Sequence, residues 1–143
     1  MKTIIYINMM LVIVLLNACK NHELTTEDIQ QQNSNKLQAG TWRAKTVMKD
    51  NVDVSTDYAS FTLTIGANNY TTTNGGLAWR RSGTWAFLGQ STTTVVRDSL
   101  VVVDFAFNDD ASLLKLNFNV ETSTYKNGKV NGLKGVYEFD LVH

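Results

Sequence analysis

The sequence predicts an all-β domain, an antiparallel meander of about eight short strands that begins near Gly40. Three observations carry that prediction. Apolar residues recur at every second position from Gly40 onward, the alternation of a half-buried strand. The segments that carry them are short and are separated by Gly, Asn, Asp and Ser, the residues that turn a chain. Their Thr, Val and aromatic content suits a pleated surface, and no long helical pattern competes with it.

Taken in order, Trp42, Ala44, Thr46 and Met48 form one face of the first segment, with Arg43, Lys45 and Lys49 on the other. Phe61, Leu63 and Ile65 alternate with Thr62 and Thr64 in the second. Residues 66–69 turn the chain into a third segment at 70–73, and a loop carrying Gly75 and Gly76 leads to a fourth at 84–88. Segments 92–97 and 100–107 are joined around Asp98 and Ser99. Asn108, Asp109 and Asp110 turn the chain into 113–120, where Leu114, Leu116, Phe118 and Val120 face one way and Lys115, Asn117 and Asn119 the other. The last segment, 136–142, points Tyr137, Phe139 and Leu141 inward. Between these two, residues 121–134 contain Asn127-Gly128, a two-residue hairpin signal, and read as a projecting flap.

Short connections favour sequential neighbours pairing as hairpins, so the meander either closes into a β-barrel or folds as a β-sandwich. Closure removes the exposed edges that invite aggregation. The chain has no Pro with which to blunt an edge, which favours the barrel. Segment 100–107 departs from clean alternation, because Val101, Val103, Phe105 and Phe107 share one face while Leu100 and Val102 occupy the other. Either that strand is buried on both sides, or its outer face is covered by the preceding tether or by a partner.

The first 18 residues have the layout of a secretory signal: Lys2, an apolar run from Ile4 to Leu16 broken by Asn8, and a small residue, Ala18, at the end. Thirteen helical residues span roughly 20 Å, too short for a bilayer core of about 30 Å. Leu16-Asn17-Ala18-Cys19 resembles the lipobox of bacterial lipoproteins, in which cleavage precedes the cysteine and acyl chains such as palmitate are attached to it. The resemblance implies lipidation at Cys19, with two or more chains giving stable anchoring. Lys20, in place of Asp after that cysteine, resembles outer-membrane sorting, leaving the domain periplasmic or surface-exposed. The alternative is an ordinary signal followed by an unmodified cysteine.

Residues 19–39 are polar and read as a tether to a single domain at 40–143. Part of it has helix-start chemistry. Thr25 is placed to cap, Asp28 follows three residues on, and Leu24 and Ile29 are spaced as a hydrophobic staple. One or two turns from residue 26 to about 33 are expected, or else a disordered spacer.

Lys plus Arg equals Asp plus Glu at 13 each, so the chain lacks the basic field that holds nucleic acid. With its one cysteine committed to lipid, no thiol remains for a disulfide, a metal site or a nucleophile. His22 lies in the tether and His143 ends the chain, so no catalytic constellation forms around either. No enzyme activity, metal or cofactor is expected. Asp109 with Asp110, and Asp50 with Asp53 and Asp57, offer hard oxygen ligands, but turn chemistry explains them better.

Trp79-Arg80-Arg81 is the most unusual local cluster. It reads either as a rim site, with the indole stacking and a guanidinium pairing with an anionic group, or as a core Trp79 beside solvated arginines. Asp98-Ser99-Leu100 resembles a short O-glycosylation sequon of some Gram-negative bacteria, which makes Ser99 a candidate modification site.

Gly40-Thr41-Trp42, opening the first strand, resembles the Gly-x-Trp motif that begins the barrel of lipocalins. Phe61-Thr62-Leu63-Thr64-Ile65, Tyr70-Thr71-Thr72-Thr73-Asn74-Gly75-Gly76, Ser82-Gly83-Thr84-Trp85 and Gly135-Val136-Tyr137-Glu138-Phe139 are similar in order to the small lipocalin-like domains of Gram-negative lipoproteins. The strands are shorter than in lipocalins proper, and Thr56-Asp57-Tyr58 falls too early to be their second motif. The resemblance implies a membrane-anchored, non-enzymatic barrel holding a small apolar or amphipathic ligand, with Trp42, Trp79, Arg80, Arg81 and Trp85 as candidate contacts. The alternative is a fully packed barrel that meets an envelope partner through its surface.

Overall fold

The period-two alternation folds into strands that bond edge to edge until the last meets the first. A computed structural model describes residues 23–121 and 134–143. A helix α1 (Thr26–Leu37) precedes β1 (Thr41–Lys49), β2 (Val52–Asp53), β3 (Thr62–Ile65), β4 (Asn69–Thr73), β5 (Ser82–Phe87), β6 (Thr94–Arg97), β7 (Val101–Phe107), β8 (Leu113–Val120) and β9 (Gly135–Val142). Every pairing is antiparallel. The order β1-β3-β4-β5-β6-β7-β8-β9 is closed by β9 returning to β1, while β2 is a two-residue hairpin arm on the upper end of β1. The result is a closed eight-stranded barrel, consistent with a lipocalin-like fold. The β9–β1 pairing excludes the sandwich alternative. The hairpin expected at Asn127-Gly128 lies outside the described residues.

Inward parity builds the core as the alternation predicts in β3, β8 and β9, where Leu63, Leu114, Leu116, Phe118, Tyr137, Phe139 and Leu141 are all buried. In β1 the expectation is half right. Against β9, Ala44 pairs with Leu141 and Thr46 with Asp140, so Lys45 is an extra residue, a β-bulge. A bulge inverts the facing of everything after it. Trp42 and Val47, both fully buried, are therefore the inward residues, and Thr46 and Met48 do not continue the face of Trp42. On β7 the second apolar face is neither buried within the fold nor covered by the described part of the tether. Leu100 and Val102 point outward and are 69% and 48% exposed.

Both ends of the barrel are closed. At the lower end lies α1, which extends past the expected one or two turns, so residues 26–37 are not spacer. Its start is the capping box read from the sequence: Asp28 N–H donates to Thr25 Oγ1 at 3.2 Å, and Thr25 N–H donates to the Asp28 carboxylate at 2.9 Å. That bond holds the Asp28 carboxyl below the usual carboxylate range. Leu24, spaced for a staple, is 54% exposed. The helix persists to Leu37 because it is docked, and tertiary packing supplies what a short polar helix lacks. Gln30 donates to the carbonyls of Gly89 and Ser91, Asn33 to that of Thr92, and Leu37 is buried under the barrel. Trp42 Nε1 donates to the Leu37 carbonyl at 2.9 Å, which satisfies one of the orphan acceptors at the helix end. His143, though exposed, lays its ring edge-on to Trp42 with centroids 4.4 Å apart.

The upper end is closed by a 3-10 turn, Ser55–Tyr58, and by the loop of residues 74–81 between β4 and β5. Tyr58 packs edge-on to Phe139, and Ala78 and Trp79 are buried in the mouth. Truncating the helix plug at Leu37→Ala should cost about 2–5 kcal/mol in urea unfolding, the range for removing a buried leucine. A loss under about 1 kcal/mol would show that α1 is not part of the barrel's cooperative unit.

Candidate functional site

Inside the barrel, inward positions of β3 to β8 converge with the two plugs on one small cavity of about 40 Å³. Leu37 borders it from below, Trp79 from above, and Trp85, Val95, Arg97 and Phe105 stand among its walls. A water needs roughly 10–15 Å³ of such space, and a cavity that takes benzene measures about 150 Å³. This cavity therefore has room for a few heavy atoms at most. A larger hollow of about 370 Å³, between the 3-10 turn and the β4–β5 loop, opens to solvent and is lined by Thr56, Asp57, Ala59, Ser60, Asn74 and Gly76.

Arg97 is the residue that sets the character of the interior. It falls on the inward parity of β6 with Val95 and is 6% exposed. Its guanidinium lies 4.1 Å from the ring centre of Trp79 and 4.9 Å from that of Phe118. Nη2 donates to the Ala78 carbonyl at 2.9 Å, tying β6 to the loop that closes the mouth. Burial works against its charge and lowers its pKa. The nearest carboxylate, Asp98, stands 4.0 Å from Nε, beyond hydrogen-bond distance.

Asp98 is held by other groups. It receives the Tyr70 hydroxyl at 2.7 Å and the Thr84 N–H at 3.0 Å. The backbone that allows this is left-handed at both Asp98 (φ 54) and Ser99 (φ 58), the two central residues of a tight turn. Gly83 completes the fit, since a Cβ there would collide with the Asp98 carboxylate and the Tyr70 ring.

The structure separates the residues that the sequence grouped. Trp79 and Trp85 both line the cavity, whereas Trp42 is fully buried at the lower end against α1. Trp85 Nε1 donates to the Gly66 carbonyl at 2.9 Å. Trp79 lies in the β4–β5 loop, not on a strand, with Arg80 and Arg81 exposed outside. Neither arginine pairs with a carboxylate among the described residues. The cation over the indole is Arg97. Ser99 is exposed at the β6–β7 turn, and Cys19 lies outside the described residues. Asp53 and Asp110 accept from the hydroxyl and the backbone N–H of Ser55 and Ser112, which is turn chemistry and keeps both carboxyls below the usual range. Among the described residues no cluster of His, Cys, Asp or Glu could hold a metal ion, and no helix is long and apolar enough to cross a membrane.

Arg97, Asp98 and Tyr70 escaped the sequence reading as a site. The available signal was parity: a charged residue on the inward phase of an apolar strand, followed at once by an acid. No known family matches the chain, and a search of curated proteins finds no match either.

Burial raises the pKa of Tyr58, Tyr70 and Tyr137 above the ordinary tyrosine value, with Tyr137 adding to the effect at Tyr58 and Asp98 at Tyr70. A raised folded-state pKa stabilises fully below the unfolded value of ~10 and loses that contribution as pH climbs above it. Alkaline titration followed at the phenolate absorbance band should therefore show these three tyrosines ionising only above pH ~10, together with unfolding. Free ionisation of all of them near pH ~10 in the folded protein would contradict their burial.

Proposed function

We propose that the chain is a non-enzymatic, lipocalin-like lipoprotein, acylated at Cys19 and held at the outer membrane, whose packed barrel works through its outer surface and not by carrying an apolar ligand. The observation that favours packing is that the cavity described between α1 below and Trp79 above measures only about 40 Å³. Fatty acids and other amphipathic ligands need several times that space. Eight strands make a barrel just wide enough for its own side chains to fill, and here three tryptophans and their aromatic neighbours fill it.

Support for anchoring comes from the lipobox-like Leu16-Asn17-Ala18-Cys19. Six residues separate Cys19 from Thr26, a reach of roughly 25 Å at full extension. The helix-plugged end would thus face the bilayer, with the Trp79 end turned away from it. Support for surface action comes from β5 to β9, whose outer face carries a transverse row that is apolar on β5, β6, β7 and β9 and is interrupted by Asn119 on β8. Ala86 pairs with Val96, Val96 with Val102, and Asn119 with Val136, and Val102 and Val136 are 48% and 47% exposed.

Titrating the protein with a fluorescent fatty acid while following tryptophan emission should give no saturable change up to the micromolar range. Saturation there would reinstate the ligand-carrying alternative. Growing the producing bacterium with labelled palmitate should label the protein, and Cys19→Ser should abolish the label and release the protein from the membrane fraction. Labelling that survives the substitution would overturn the anchor.

A further inference from the structure

We infer that the upper rim of the barrel docks on a second phospholipid surface, other than the one that holds the anchor. Apart from Leu24 ahead of α1, the most exposed large apolar side chains among the described residues are Leu100, Val52 and Leu77, at 69%, 62% and 54%. All three stand at the Trp79 end: Val52 in the β1–β2 hairpin, Leu77 in the β4–β5 loop and Leu100 in the β6–β7 turn. Each directly follows a residue in the left-handed conformation, Asn51 (φ 64), Gly76 (φ 56) and Ser99 (φ 58). An apolar side chain is thus presented at the tip of a tight turn, where polar residues are the rule. Single exposed leucines are commonplace, but three such residues at equivalent positions around one mouth form a pattern.

Two of the turns share a further device. Asp50-Asn51 and Asp98-Ser99 are both pairs of left-handed residues that open with an acid. In each the carboxylate is bonded back to a neighbouring strand: Asp50 accepts the Val136 N–H at 2.8 Å, and Asp98 the Thr84 N–H at 3.0 Å. The acid is drawn away from the tip, and Val52 or Leu100 is left as its exposed group. In the third connection Leu77 is followed by Arg80 and Arg81, both exposed and neither paired with a carboxylate among the described residues.

Separate convex tips select the kind of partner. A protein needs a matching pocket for each tip, and the hollow beside the β4–β5 loop is lined chiefly by polar Thr56, Asp57, Ser60 and Asn74, so it offers a peptide no apolar groove. A bilayer interface moulds around protrusions: apolar side chains sink to the boundary of headgroup and acyl chain, while long cationic ones reach out to the headgroups. The guanidinium fork of Arg80 or Arg81 matches a headgroup phosphate. Acids and bases balance over the chain, so the phosphate common to neutral and anionic phospholipids is the feature read, and not net charge. Anchoring at Cys19, on which the choice of a second surface rests, keeps the helix-plugged end at the first, because only six residues lie between Cys19 and Thr26.

The test places the full lipidated chain in phosphatidylcholine vesicles and adds protein-free, dye-labelled vesicles of phosphatidylethanolamine and phosphatidylglycerol, with capture read by co-flotation. Capture is expected with the wild-type chain. Leu100→Ser should lower it about tenfold, the weight of one partly buried leucine, and the triple change Val52→Ser, Leu77→Ser and Leu100→Ser should abolish it. Leu88→Ser, an exposed leucine at the lower end, should leave it unchanged. All these side chains are exposed, so an unaltered melting temperature certifies the fold of each variant. Chains present in the first vesicles that capture none of the second would overturn the inference, as would capture that survives the triple change or falls equally with Leu88→Ser. A chain that does not associate with the first vesicles at all would instead sink the anchor, and flotation of the free chain with the second vesicles, expected for the wild type and lost in the triple variant, then decides the rim alone.

Discussion

The ladder between β1 and β9 is the constraint from which the architecture follows. A sheet of eight short strands has two edges, and here each edge finds the other: Arg43 pairs with Val142 and, beyond the bulge, Lys49 with Tyr137. With that pairing made, every barrel strand has two neighbours and one concave face, and the inward residues have nowhere to go but the interior. The bulge at Lys45 belongs to the same constraint. Extra local twist lets a strand bend around a tight barrel, and the shift in facing that comes with it puts Val47 in place of Thr46 in the core.

Closing the wall leaves two open ends, and the chain treats them differently. The lower end is sealed by a helix whose apolar content is slight and whose attachment is polar, through Gln30, Asn33 and the Leu37 carbonyl. The upper end is sealed by aromatic mass around one cation. Cation–π contacts of a desolvated guanidinium are worth about 2 kcal/mol or more, against a desolvation penalty of several kcal/mol for the ion. Two ring contacts and one carbonyl bond do not clearly offset that cost. The arrangement makes sense for positioning Trp79 and Ala78, since an apolar residue at 97 would give the mouth loop nothing to bond.

Strand identity was legible in the sequence because the barrel has one wet face and one dry one, and period two records that division directly. Helix capping was legible for the same local reason, since Thr25 and Asp28 act within one turn. The far boundary of α1 was not, because Gln, Asn and Ser up to Leu37 carry no helical signal and the order there comes from β5–β6 carbonyls many residues away. The facing of β1 after Ala44 was illegible because a bulge leaves no mark in composition. At the candidate site, Trp79 and Trp85 were found by their rarity, while Arg97 was hidden in a strand of four residues. Only its parity with Val95 marks it as inward, and that parity is fixed by pairing with β5 and β7.

The joining of first strand to last has a kinetic side. Its contacts span almost the whole domain, and loop-closure entropy makes such pairings the slow part of folding. Until β9 is in place, β8 and β1 both expose unpaired backbone, and any second chain in the same state offers a matching edge. Dwell time before those edges meet governs how much of the chain folds intact rather than pairing with another copy, and the segment from Gly135 to Val142 sets that interval.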